Sequence, residues 1–78
     1  FTQGRPVKKN ELRAGDLVFF GGSKAINTVG HVGIVVDVSK DGKSFRFIHA
    51  SNRGVVIDRF PDMEYYVKRY IGARRILP

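Results

Sequence analysis
The segment from His31 to Ser51 constrains this chain most, because two apolar-rich runs flank the tetrapeptide Lys40-Asp41-Gly42-Lys43. An Asp-Gly pair takes up positive φ at low steric cost, so the segment reads as a β-hairpin with strands over 31–38 and 45–51. Along the first strand Val32, Ile34, Val36 and Val38 fall on one face, and His31, Gly33, Val35 and Asp37 on the other. The valine and isoleucine side is the expected core side. A five-residue loop, Ser39 to Lys43, sets Val38 opposite Ser44, Val35 opposite Phe47, Gly33 opposite His49 and His31 opposite Ser51. Both histidines then share a face as diagonal neighbours, about 7 to 8 Å apart at Cα, with Gly33 leaving room between them. The other face pairs Val32 with Ala50 and Ile34 with Ile48. A two-residue turn at Asp41-Gly42 would instead make the register odd and send the histidines to opposite faces.

The rest of the chain supplies partners for this hairpin. Phe1 to Arg13 is polar, is broken by Gly4 and Pro6, and reads as a lead-in loop with no core of its own. Asp16-Leu17-Val18-Phe19-Phe20 is a short apolar run bounded by glycines, as in a strand covered on both faces. Ser23 to Gly30 has no period and reads as a surface loop, with Ile26 and Val29 as its apolar exceptions. A strand over Val55 to Asp58 follows a turn at Asn52-Arg53-Gly54, and Pro61-Asp62 opens a short helical turn through Met63 to Tyr66. The last strand is Tyr70 to Leu77, where Gly72 marks a bulge or a close contact. The expected chain fold is mainly a five-stranded antiparallel, barrel-like sheet with one short helical turn.

Size and composition bound the chemistry. At 78 residues there is one domain with one modest core, and the absence of Cys excludes, within these residues, a disulfide framework, a thiolate metal site and a thiol nucleophile. No stretch approaches the ~20 apolar residues of a membrane span. Lys and Arg number 14 against 7 Asp and Glu, and the formal charge of +7 attracts polyanions without selecting nucleic acid, anionic lipid or an acidic cell envelope.

Only His31 and His49 titrate near neutrality, so a proton-transfer site built on this chain involves one or both. The competing reading makes them a strand-end residue and a satisfied core residue. Two imidazoles with no carboxylate at ligand spacing fall short of the three or four ligands of a zinc site, and no metal or other cofactor is expected. Asp16 after Gly15 reads as a turn carboxylate accepting backbone N–H bonds. Lys8-Lys9 and Arg74-Arg75 read as solvated faces or strand-edge guards, with polyanion contact as the alternative. Tyr65, Tyr66 and Tyr70 close a core or stack on a base or sugar. Ser51, two residues past His49, is a weak candidate for a serine nucleophile, with no oxyanion hole or third partner visible for it.

Several of these segments together resemble the C-terminal half of an NlpC-type bacterial cell-wall peptidase, a papain-like cysteine hydrolase. Leu12 to Phe20 resembles that family's first core strand, and Gly30-His31-Val32-Gly33-Ile34-Val35-Val36 resembles the strand presenting the catalytic histidine. Phe47-Ile48-His49-Ala50-Ser51 resembles the strand with the third polar member, while Gly54 to Ile57 and Arg69 to Ile76 resemble the closing strands. The resemblance covers nearly the whole chain. It implies an α+β, papain-like full domain in which His31 takes the proton of a cysteine thiol and His49 fixes the tautomer and orientation of His31. Ser51 is carried along as a candidate substrate-binding residue. The implied reaction is hydrolysis of peptidoglycan stem peptides, between D-glutamate and a diamino acid, outside the cytoplasm. Because the family's nucleophile sits at the start of a helix in the N-terminal half, residues 1–78 are expected to be the histidine-bearing half of one domain, inactive without the other. An uncovered apolar face and self-association are expected of such a half. The competing class is an inert basic SH3-like barrel that binds wall glycan, wall peptide or RNA; for a hydrolase half no specific nucleic acid is expected.

Overall fold
Short runs of β-branched and aromatic residues, each closed by Gly, Pro or a polar turn, pair into one antiparallel sheet. A computed structural model of the chain describes residues 4–22 and 28–76. The strands are β1 (Arg5–Val7), β2 (Leu17–Gly21), β3 (Val29–Val38), β4 (Phe45–Ser51), β5 (Gly54–Phe60) and β6 (Tyr70–Arg75), in the order β1-β6-β2-β3-β4-β5. The helix α1 (Glu64–Arg69) joins β5 to β6, and a short 3-10 turn covers Lys9–Glu11. The readings for Phe1, for Ile26 and for Leu77 lie outside the described residues.

Among the described residues six strands replace the expected five, and the sheet is open rather than barrel-like, with β1 and β5 as its edges. The sixth comes from the segment read as a lead-in loop. Arg5 to Val7 pairs with Arg75 to Ala73, Val7 and Leu12 are buried, and the Lys9 ammonium lies about 5 Å over the Phe60 and Tyr70 rings. Sparse apolar residues hid a segment that closes one end of the core. Val29 and Gly30, read as loop, begin β3, and β5 extends to Phe60. The helix starts later than expected because Met63 is still extended; Glu64 in its first turn and Lys68 and Arg69 in its last complement the helix dipole. Opposite Phe19 and Phe20, the partners are Gly72 and Tyr70, so the bulge expected near Gly72 is present at Ile71.

The core lies on one face of the sheet. Val18 and Phe20 from β2, Val35 from β3, and Phe45 and Phe47 from β4 are buried there with Phe60, Tyr66 and Ala73. Phe20 meets Phe47 and Tyr66 at ring-centroid distances of 5.2 Å each, and Phe45 stacks on Phe60 at 4.9 Å. Each such side chain, fully buried, contributes about 1.5 to 3 kcal/mol of apolar transfer energy. Strand alternation therefore runs opposite to the expected sense. Gly33 and Val35 face the core, whereas Val32 and Ile34 point to the opposite face, 45% and 46% exposed. The aromatic residues of β4 outweigh the aliphatic side of β3 in choosing the core face.

Asp16 fixes the end of β2. Its carboxylate accepts from the Arg13 backbone N–H at 2.8 Å, as the turn reading expects, and from Nε and Nη2 of Arg75, both at 2.8 Å. Arg75 is thus no solvated guard but a bidentate partner of a buried carboxylate. Burial opposes ionisation of Asp16, yet the Arg75 and Arg13 bonds outweigh it and hold the carboxyl below its ordinary value.

Candidate active site
The site is built where the central hairpin, β3 and β4, meets β5. Its loop is tied by Asp41, whose Oδ1 accepts from Ser39 Oγ and Lys43 N, and Gly42 adopts φ 71°. Val38 faces Phe45 and Asp37 faces Arg46, so the loop between paired residues is six residues long, one more than expected. Continued unchanged, that odd register would put His31 and His49 on opposite faces. A bulge between Val35 and Asp37 restores the even register, with Val35 opposite Phe47 and Ile34 opposite Ile48. The histidines share a face after all.

Their side chains meet. Nε2 of His31 lies 2.8 Å from Nδ1 of His49, and the rings stand edge to face at 4.9 Å. Gly33 permits the approach: a Cβ there would come within 2.8 Å of the Phe47 ring and 3.5 Å of the His49 Cβ. His31 is held beside Phe20 across β2 and stacked on Tyr66 at 5.9 Å. The His49 side chain is fully buried between Phe47, at 4.6 Å, and Tyr66, at 5.1 Å. Burial, then the charge of His49, pushes the His31 pKa down, so His31 is a neutral base at neutral pH.

Two further residues complete the cluster. Oδ2 of Asp58 lies 2.7 Å from Nε2 of His49 and also accepts from Arg53 Nη2 at 2.5 Å. Burial opposes ionisation of Asp58, but the Arg53 and His49 bonds overcome it and lower its pKa. Asp58 was missed because a three-residue turn over Asn52-Arg53-Gly54 pairs His49 with Ile57. The actual turn leaves Ser51 opposite Gly54 and His49 opposite Val56, which puts Asp58 diagonally next to His49 on the same face. Recognising Asn52-Arg53 as a two-residue loop would have found it.

His31 and Tyr66 open onto a cleft of about 650 Å³, bordered by Gly21, Gly30, Ser51, Arg53, Met63 and Tyr65. Ser51 reaches this cleft, but its hydroxyl donates to Gly54 O and accepts from Arg53 N, so it holds the turn. It is not joined to either imidazole by a hydrogen bond among the described residues. Tyr66 and Tyr70 pack in and against the core, as expected, while Tyr65 is exposed under the Arg69 guanidinium at 3.8 Å. No group of three or more His, Cys, Asp or Glu with metal-holding geometry occurs among the described residues. A buried, oriented imidazole pair beside an open cleft is equipped to accept a proton from a group entering that cleft.

Comparison with known proteins bears on the whole chain. The NlpC/P60 family model matches residues 1–75. A murein DD-endopeptidase/murein LD-carboxypeptidase, MepS, of Escherichia coli K12 is 39% identical over 74 residues, which are 95% of this chain and 35% of that protein. A probable endopeptidase of Haemophilus influenzae is 37% identical over 73 residues, 94% of this chain and 41% of the relative. The crystal structure of an NlpC/P60 family protein from Bacillus cereus superposes with a TM-score of 0.70 at 29% identity, covering 97% of this chain and 23% of that one. The chain thus spans about two fifths or less of the length of these relatives. By the extent of the family match and the agreement in fold, the chain belongs to the NlpC/P60 family.

Proposed function
We propose that this chain is the histidine-bearing part of a cell-wall cysteine endopeptidase that hydrolyses peptidoglycan stem peptides. The observation that carries the reading is the His31 to His49 contact of 2.8 Å on the rim of an open cleft. The names of the murein endopeptidase relatives supply the substrate class. His31 is the general base and His49 its orienting partner. The nucleophile is a cysteine thiol carried outside these 78 residues, none of which is Cys. The greater length of the relatives and the exposed apolar residues Val32, Ile34, Val55 and Ile57 support a helical, thiol-bearing segment packed on this half in an α+β, papain-like domain.

In the reaction, His31 takes the thiol proton and the thiolate attacks the scissile carbonyl carbon. The C–N bond breaks as the imidazolium returns the proton to the leaving amine, giving a thioester. Water then adds to the thioester with His31 again as base, releasing the carboxylate and the thiol. We place the scissile bond between D-glutamate and a diamino acid, and the enzyme outside the cytoplasm. No described helix is long and apolar enough to cross a membrane. The test is murein hydrolysis by the full-length protein. His31→Ala should lower kcat by ~10² to 10⁴-fold, the usual worth of a general base, with the fold intact. His49→Asn should be milder, because an amide still bonds the ring. Wild-type rates in the His31 variant would sink the assignment.

A further inference from the structure
The His31 to His49 pair does not end at His49. Behind it Asp58 offers Oδ2 to Nε2 of His49 at 2.7 Å, and Arg53 donates to the same oxygen. Arg53 has no acceptor, so that oxygen carries no proton between them, and the side chain of Asp58 is an ionised, acceptor-only group. A bare Nε2 on His49 facing it would set two lone pairs against each other in a buried site. With both rings neutral, only one arrangement satisfies every contact. His49 carries its proton on Nε2 and donates to Asp58, its Nδ1 is bare and accepts from His31 Nε2–H, and the remaining nitrogen of His31, Nδ1, is unprotonated.

We propose that Asp58, steadied by Arg53, is a positioning residue that holds both imidazoles in the Nε2–H tautomer and so makes Nδ1 of His31 the proton-accepting atom. This rests on the peptidase reading and deepens it, by naming a fourth residue behind the imidazole pair. Asp58 does not touch the substrate. It acts through His49, and when His31 becomes an imidazolium its carboxylate balances the charge along the same chain of bonds.

Nitrogen-15 NMR of the imidazoles in the full-length protein tests this without substrate. At a pH where neither imidazole is charged, both histidines should show protonated Nε2 and bare Nδ1. Asp58→Ala should give mixed tautomers and lower kcat on murein by ~10²-fold at near-constant KM, the scale of misplacing a reacting group by ~1 Å. Asp58→Asn should recover most of that loss, because an amide oxygen at the Oδ2 position can accept from both His49 and Arg53. A proton on Nδ1 of His49 in the wild type would overturn the proposal. So would Asp58→Ala with the wild-type spectrum and kcat. Should Asp58→Ala fail to fold, the wild-type spectrum still decides. A wild-type protein that leaves murein intact would count against the peptidase reading alone, since the tautomers are read with no turnover.

Discussion

Alternate residues of the same strands build two unlike faces. On one, Gly33, Val35, Phe45, Phe47 and His49 are buried, packed with Phe20 and with Tyr66 from α1. On the other, Val32, Ile34, Val55 and Ile57 are also apolar, yet they are 45 to 73% exposed. Apolarity therefore does not choose the core face. Ring size and the local partners do: β4 brings Phe45 and Phe47 to one side, and α1 lays Tyr66 over the same side. The titratable pair sits on the packed face, where burial can hold ring orientations that a solvated face would leave free.

The contrast between the faces breaks most sharply at Phe47. Phe47→Ala should cost ~3 to 5 kcal/mol in denaturant unfolding, the usual range for a buried Phe, and should loosen the His49 ring it packs against. Gly33→Ala comes next, at ~1 to 3 kcal/mol, because its Cβ would press on Phe47 and on the Ile48 carbonyl; unchanged stability would mean the two strands separate there. Mild acidification, before the carboxylates titrate, should act through His31 on the packed face. The native His31 pKa lies below the unfolded value of about 6.5, so the unfolded chain binds its proton first. This contribution is neutral above that pH, stability declines as pH falls from there to the lowered native pKa, and it is level below. Comparing the stability–pH curves of wild type and His31→Gln isolates the slope, and a steeper acid loss in the variant would contradict it. On the outer face Ile34→Thr and Val55→Ser should shift stability by no more than ~0.5 kcal/mol, as at exposed sites. A core-sized loss there would mean that face is packed.

Much of the hairpin was legible. Asp41-Gly42 announces its turn, β4 has the expected bounds, and the pairing of Val35 with Phe47 and Ile34 with Ile48 is as derived. That agreement came through two compensating departures, a loop one residue longer and a bulge that restores the parity. The bulge has no mark in Val35-Val36-Asp37. Arg46 donates to Asp37 from Nε at 3.0 Å across the strands and steadies the shifted register, but an exposed pair of this kind is too weak to announce it. Asp58 was hidden by one residue of turn length, and β1 by a segment whose few apolar residues, Val7 and Leu12, lie too far apart to form a period.

The sequence by itself determined the antiparallel hairpin, the absence of a thiol in these residues and the pair of imidazoles available for proton transfer, because turn chemistry and residue type are local properties. The tertiary structure decided which face is the core, that β6 returns between β1 and β2, and that His31, His49, Asp58 and Arg53 form one line of hydrogen bonds. Those outcomes depend on register, and in a sheet one residue of slip moves every side chain to the opposite face. Only the summed packing of Phe20, Phe47 and Tyr66 around the two histidines supplies the energy that selects among registers the sequence leaves open.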